Sequence, residues 1–172
     1  MKLRYLLLAS LVGGLVSFGW GFVSPMLFKS LQPNTFQEPD VLKAIPNSAP
    51  ANGVYADDRG VFAVVDLERD LSPKFGSPVI PMATQLAAEI IVAFLLAWLL
   101  LRLPPWSAFG TGTIFATVAL AAGLALLMPQ SIWYFFPIKY QLASLADLVI
   151  GWFLLGVVLA TFRKKIMLRE TA

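Results

Sequence analysis

Four long apolar stretches, separated by polar or proline-containing segments, dominate the pattern of the chain. They cover residues 5–23, 83–101, 108–128 and 141–162. A helix needs about 20 predominantly apolar residues to cross a hydrocarbon core of about 30 Å, and each stretch meets that length. The pattern therefore predicts an all-α membrane protein with four transmembrane helices. Residues 24–82 form a long connection between the first two helices, and residues 163–172 form a polar tail.

The composition supports a single membrane unit over residues 1–172. The chain has 172 residues, of which 58% are hydrophobic, and its mean hydropathy is +0.75. Soluble domains are nearer to about 45–50% apolar. The net charge of +3 would suggest nucleic acid in a soluble protein, but here the basic residues flank membrane helices. We therefore expect the lipid bilayer as a partner and no nucleic acid.

The distribution of charge predicts the orientation. One side would hold seven basic residues, namely Lys2, Arg4, Arg102, Arg163, Lys164, Lys165 and Arg169. Residues 24–82, on the other side, carry seven acidic and five basic residues. The positive-inside rule then places both termini in the cytoplasm and the long loop in the periplasm or outside the cell. A cleaved signal peptide is the alternative for the first stretch, but its length and the lack of a small-x-small site favour an uncleaved anchor.

The connections between the stretches carry local signals of their own. Residues 36–45 have the pattern of a short helix, and residues 54–65 read as a β-hairpin with a four-residue turn. The long loop is therefore expected to be a small extracytoplasmic α+β insert, and its acidic residues lack the spacing of a calcium loop. The connection over residues 102–107 is short and contains Pro104 and Pro105. It predicts that the second and third helices are antiparallel neighbours.

The residue types that carry most catalytic and metal chemistry are absent. The chain has no cysteine and no histidine. These absences exclude Ser-His-Asp and Cys-His triads, zinc sites with nitrogen or sulfur ligands, and the common axial ligation of haem. We therefore expect a protein that is not an enzyme, with no catalytic residue, no metal and no cofactor.

Small residues recur at spacings of three and four along the stretches and predict faces where helices pack closely. Aromatic residues cluster where the stretches end, as in the belt at a membrane interface. The predicted packing residues are Ser10, Gly14, Ser17, Gly21, Gly112, Ala116, Ala119, Gly123, Gly156 and Ala160. The predicted interfacial aromatics are Trp106, Trp133, Tyr134, Phe135 and Phe136, and the last four also suit a contact with a partner or a pigment.

Glu89 and Asp147 are the ionisable residues that lie well inside the stretches. Each is six residues from the outer end of its predicted span, about 9 Å along a helix. A charge in hydrocarbon is expensive, so such residues are candidates for a functional polar site. If the two carboxyls faced each other, they would form a shared proton or cation site. Alternatively, each carboxyl has a separate local partner. The sequence gives the depth of each residue but not the rotation of its helix, so both interpretations stay open.

Several short segments resemble a family of small four-span bacterial inner-membrane proteins for which no activity is known. The matching segments are Gly19-Trp20-Gly21, residues 42–45 and 50–55, residues 133–137, and residues 145–156 with Asp147, Gly151 and Trp152. The resemblance implies four spans with an extracytoplasmic insert in the bacterial inner (cytoplasmic) membrane. It implies no activity.

Two classes of function agree with these observations. A non-catalytic accessory or scaffold subunit of a larger membrane complex would explain the small size, the small-residue faces and a loop that needs something to pack on. A small transporter or channel would use Glu89 and Asp147 as an outer-leaflet carboxylate pair for a proton or cation. The absence of an inverted repeat favours the first class, with other integral membrane subunits as partners.

Overall fold

The computed structural model describes residues 2–28, 53–56, 62–65, 79–134 and 136–168. Its four long helices are α1 (Lys2–Leu27), α2 (Val79–Leu100), α3 (Ala108–Trp133) and α4 (Ile138–Leu168). All four are long and apolar enough to cross a membrane. The prediction of four apolar membrane helices is therefore confirmed, and the chain is a multi-pass membrane protein by this criterion.

Two short strands lie in the connection between α1 and α2. Strand β1 (Gly53–Ala56) pairs antiparallel with β2 (Phe62–Val65), with Tyr55 opposite Ala63. The predicted short helix at residues 36–45 and the acidic residues of this loop lie outside the described residues. A folded α+β insert therefore stays a prediction.

The helices are longer than the apolar stretches that predicted them. Helix α2 begins at Val79 rather than at residue 83, and α4 runs from Ile138 to Leu168 rather than over residues 141–162. Pro81 is tolerated in the first turn of α2, because the amide that proline lacks has no partner within the helix there. An apolar stretch marks the part suited to hydrocarbon, whereas a helix continues until its backbone hydrogen bonds end.

The helices lie in the order α2, α1, α4, α3, and each runs antiparallel to the one it packs on. The Tyr5 hydroxyl donates to the Leu159 carbonyl oxygen at 3.3 Å, while Trp20 contacts Asp147 near the other end of the same pair. Among the described residues, α2 and α3 make no extensive contact. The two helices are antiparallel, as predicted, but the prediction that they are neighbours is wrong, because α3 packs on α4 through small residues instead.

One end of the helix array carries most of the described basic residues, and we call it the basic end. There α1 and α3 begin, and α2 and α4 end, with Arg4, Arg102, Arg163, Lys164 and Lys165. The Arg163 guanidinium donates from Nη1 to the Leu100 carbonyl at 2.8 Å and from Nη2 to the Leu103 carbonyl at 3.1 Å. Arg163 therefore joins α4 to the end of α2 and to the connection that follows it, and the Leu100 carbonyl also accepts from the Leu103 amide at 3.3 Å.

The main hydrophobic core lies towards the basic end. Its buried members come from the start of α1, the end of α2, the start of α3 and the end of α4: Tyr5, Ala9, Ala93, Leu96, Ala97, Leu100, Phe115, Leu155, Leu159 and Ala160. We call the opposite end the far end. The α3–α4 pair is closely packed there too, with Gly123 against Leu145. By contrast, α2 has no buried residue before Ala93.

Gly156 provides a test of the α3–α4 contact. A Cβ at Gly156 would lie 2.9 Å from the Gly112 Cα and 3.0 Å from the Thr111 carbonyl oxygen, which are backbone atoms that cannot rotate away. We expect Gly156→Ala to lower the free energy of unfolding by about 1–3 kcal/mol through overpacking. The measurement is loss of helical circular dichroism during SDS titration in detergent micelles.

Gly19→Ala is the matched control, because no described atom lies within 4 Å of a Cβ at Gly19. It adds the same methyl group to a helix and removes the same flexible residue. We expect it to be neutral or stabilising, by up to about 1 kcal/mol. Equal destabilisation by the two substitutions would contradict close packing at Gly156.

Candidate functional site

The two intramembrane carboxyls lie in different grooves beside α1. Glu89 lines a groove between α1 and α2, together with Ser17, Phe18, Gly21, Phe22, Pro81, Met82 and Gln85. Asp147 lines a pocket between α1 and α4, together with Ser24, Pro25, Phe28, Tyr140, Ala143 and Ser144. We call these the α1–α2 groove and the α1–α4 pocket. The groove has a volume of about 420 Å³ and the pocket about 200 Å³.

Asp147 is bonded to a side chain of another helix. The indole Nε1 of Trp20 donates to Asp147 Oδ1 at 2.6 Å and lies 3.3 Å from the Asp147 carbonyl oxygen. One turn further along α4, Gly151 leaves room for the ring, since a Cβ there would lie 3.0 Å from Trp20 Cδ1. The i, i+4 spacing places Asp147 and Gly151 on one face of α4, where they form a seat for the indole.

This contact gives Asp147 a structural role. An indole N–H or a carboxyl group left without a partner in hydrocarbon is costly, and here each satisfies the other. The bond also links two segments that the sequence resemblance singled out separately, Gly19-Trp20-Gly21 and residues 145–156. Trp20 itself was not predicted as a site residue, and its only signal in the sequence was its place in that first segment.

Glu89 has a partner on its own helix. Gln85 Nε2 donates to Glu89 Oε1 at 2.8 Å, across one turn of α2. Because α2 begins at Val79, Glu89 is its eleventh residue of 22, about 15 Å along the axis from the helix start. This depth is greater than the six residues counted from the apolar stretch. The carboxyl is half-buried and Gln85 is exposed, so the pair faces the open α1–α2 groove.

The structure does not bring Glu89 and Asp147 together. Their hydrogen-bond partners are Gln85 on α2 and Trp20 on α1, and α1 packs against both α2 and α4. A proton or cation shared by the two carboxyls would require them in one groove. The described residues also contain no cluster of three or more acidic side chains that could hold a metal ion.

The small residues differ in what they contact. Gly14 is buried, and a Cβ there would lie 2.8 Å from the Ile90 Cα. Gly21 is exposed, with no described atom within 4 Å of such a Cβ. Ser17 and Ala116 are half-buried, whereas the other predicted packing residues are buried: Ser10, Gly112, Ala119, Gly123, Gly156 and Ala160. Gly13, which was not predicted, is also buried, against Leu155, Ala93 and Leu159.

Four of the five predicted interfacial aromatics are described, and they lie at or between helix ends. Trp106 is exposed in the connection between α2 and α3 at the basic end, and Trp133 and Tyr134 are exposed where α3 stops at the far end. Phe136 is half-buried, and Phe135 lies outside the described residues. Next to them, Gln141 Nε2 donates to Gln130 Oε1 at 2.9 Å. This hydrogen bond between side-chain amides joins α4 to α3, and the sequence patterns did not indicate it.

A double-mutant cycle of Trp20→Phe and Asp147→Leu tests the bond between α1 and α4. Phenylalanine keeps an aromatic ring without the N–H, and leucine keeps approximate size without an acceptor. We expect a coupling free energy of about 0.6–2 kcal/mol, the range for hydrogen bonds between membrane helices. The measurement is the free energy of unfolding of the four proteins by SDS titration.

The control cycle is Gln85→Leu with Glu89→Leu, a bond within one helix on an open face. We expect about 0.2–0.5 kcal/mol for this pair. A coupling for Trp20 and Asp147 that is no larger than the control value would contradict their role in joining helices.

Comparisons with known proteins identify no relative of this chain. No family model, no curated protein and no solved structure matches the chain. The resemblance to small four-span bacterial membrane proteins stays a prediction. Its confirmed content is four apolar helices of membrane-spanning length.

Proposed function

We propose that this protein is a non-catalytic accessory subunit that binds another integral membrane protein through the α1–α2 groove. The observation that carries the proposal is the Gln85–Glu89 pair, a polar surface at mid-helix depth facing an open groove. The occupant is a transmembrane helix of the partner. It carries a side chain that donates hydrogen bonds to Glu89, such as lysine, arginine or an amide.

The first support is the poor burial of α2. Its four buried residues are Ala93, Leu96, Ala97 and Leu100, all in the half nearest the basic end. The other half, from Val79 to Val92, contributes no buried residue. A membrane helix can expose one face to lipid. The exposed surface of α2 is also large enough to form one side of a helix–helix interface.

The second support is the chemistry of that open half. Lipid tails cannot donate hydrogen bonds, and an ionised or neutral carboxyl accepts more than the one bond that Gln85 supplies. Polar side chains in membrane helices usually face protein or a water-filled cavity. A partner helix with a donor would therefore stabilise Glu89 in a way that lipid cannot.

The third support is the shape of the groove. Small residues allow backbones to approach closely in membranes, and Ser17 and Gly21 provide them on the α1 side of the groove. Gly21 has open space at its Cβ position among the described residues. No described residue makes use of its small size, which is therefore available to an incoming helix.

The proposal also includes the orientation of the protein in the membrane and a role for the long loop. The basic end would face the cytoplasm of a bacterial cell, in agreement with the positive-inside rule. The far end, with the α1–α2 groove and the long loop, would then face the periplasm or the cell exterior. A lone two-stranded hairpin is marginally stable in water, which supports packing of β1 and β2 against the partner.

The test compares Gly21→Leu with Gly19→Leu in pull-downs of the tagged full-length protein from its native membrane in mild detergent. Both glycines are exposed, and neither has a described atom within 4 Å of a Cβ, but only Gly21 lines the groove. We expect wild type and Gly19→Leu to co-purify with a stoichiometric integral membrane partner. Gly21→Leu should lose most of it, at unchanged expression and helical content.

Glu89→Gln and Glu89→Leu separate the polar contribution from the steric one. Glutamine still accepts hydrogen bonds, so it should retain more partner than leucine does. Homo-oligomers of this chain without a second protein would contradict the proposal, as would equal recovery of the partner with Gly21→Leu and Gly19→Leu. Proton or cation flux by the purified protein in liposomes, abolished by Glu89→Gln, would favour the transporter class instead.

A further inference from the structure

A larger cavity lies at the basic end, away from the α1–α2 groove. Its volume is about 740 Å³, within the range of small-molecule and cofactor sites. The end of α2, the connection that follows it, the start of α3 and the end of α4 surround it. The residues that line it are Leu100, Pro105, Trp106, Ser107, Ala108, Thr111, Ala160, Thr161, Arg163 and Lys164.

The polar groups of this cavity are mostly engaged within the protein. The Thr111 hydroxyl donates to the Ser107 carbonyl at 3.0 Å, and the Thr161 hydroxyl donates to the Val157 carbonyl at 2.7 Å. The Ser107 hydroxyl accepts from the Gly110 amide at 3.0 Å, as the N-cap of α3. These groups shape the wall and are not arranged to bind a highly polar ligand.

Among the described residues, the charged groups that line the cavity are all positive. Arg163 and Lys164 line it, and none of the lining residues is acidic. Two of the five N–H groups of Arg163 donate to the Leu100 and Leu103 carbonyls, which fixes the guanidinium, and the other three have no hydrogen bond to a described residue. The Lys164 side chain is exposed and adds a mobile ammonium group. The site therefore favours an anion.

The remaining wall is apolar and belongs to membrane helices. Pro105 and Ala108 contribute accessible hydrocarbon surface, with the buried Leu100 and Ala160 behind them, and Trp106, 42% exposed, adds an amphipathic ring. A soluble anion would leave this surface without a ligand. An acyl chain would cover it while its headgroup stays at the ends of the helices, where Arg163 and Lys164 lie.

We propose that this cavity binds an anionic phospholipid. The headgroup phosphate contacts Lys164 and the remaining donors of Arg163, and an acyl chain lies against Pro105, Trp106 and Ala108. Basic pockets between membrane helices recognise anionic headgroups in this way. This site is separate from the proposed partner interface in both position and charge.

The test is native mass spectrometry of the full-length protein in detergent, titrated with phosphatidylglycerol and, separately, with phosphatidylethanolamine. We expect selective retention of phosphatidylglycerol. Lys164→Gln should weaken its binding roughly fivefold, the contribution of one basic residue near a membrane surface. Lys165→Gln is the matched control, because Lys165 is also exposed but does not line the cavity, and it should bind like wild type.

A pair of bulky substitutions tests whether an acyl chain occupies the cavity. Thr161→Phe fills the cavity from an exposed position, whereas Thr113→Phe makes the same change at an exposed α3 residue outside it. We expect loss of bound lipid with Thr161→Phe and retention with Thr113→Phe, at equal helical content. Equal binding of the two lipids, or equal effects of Lys164→Gln and Lys165→Gln, would overturn the proposal. Displacement of the lipid by millimolar inorganic phosphate would identify a free phosphate as the ligand and would overturn it too.

Discussion

The scarcity of hydrogen-bonding partners in hydrocarbon is the constraint on which the rest of this structure depends. It requires each span to be a helix, and it requires each polar side chain within a span to find a partner. Asp147 meets this requirement across helices, with the Trp20 indole 2.6 Å away. Glu89 meets it only in part, through Gln85 on its own helix. The difference separates a carboxyl that joins two helices of this chain from one that we propose as a contact for another protein.

The packing of the helices also differs between parts of the array that are closely packed and a part that is open. Apolar surface alone does not drive helices together in lipid, so close backbone approach matters more than in a soluble protein. Gly112 and Gly156 allow that approach between α3 and α4, and Gly14 allows it between α1 and α2 at Ile90. Beyond Gly14, towards the far end, the α1–α2 pair opens into a groove. The core near the basic end stabilises the array, and binding of the proposed partner to the open half of α2 would leave that core undisturbed.

The sequence predicted the spans because hydropathy reports directly on the solvent around a helix. It also indicated small residues at Gly112 and Gly156, which meet in the α3–α4 contact. It did not give the order of the helices: a short connection favours neighbours, yet α3 packs on α4. Nor did it give the rotation of each helix about its axis. The depth of Glu89 and Asp147 alone therefore could not show that they face different grooves. Long-range partners such as Trp20 for Asp147 have no periodic signal.

Site-specific photocrosslinking in native membranes tests most directly whether the α1–α2 groove holds a partner helix. A photoreactive residue at Met82 lies in the groove, and one at Leu126, an exposed position on α3, is the comparison. We predict a discrete crosslink from Met82 to one other integral membrane protein and none of that size from Leu126. Crosslinks from Met82 only to lipid, or only to a second copy of this chain, would contradict the proposed accessory role.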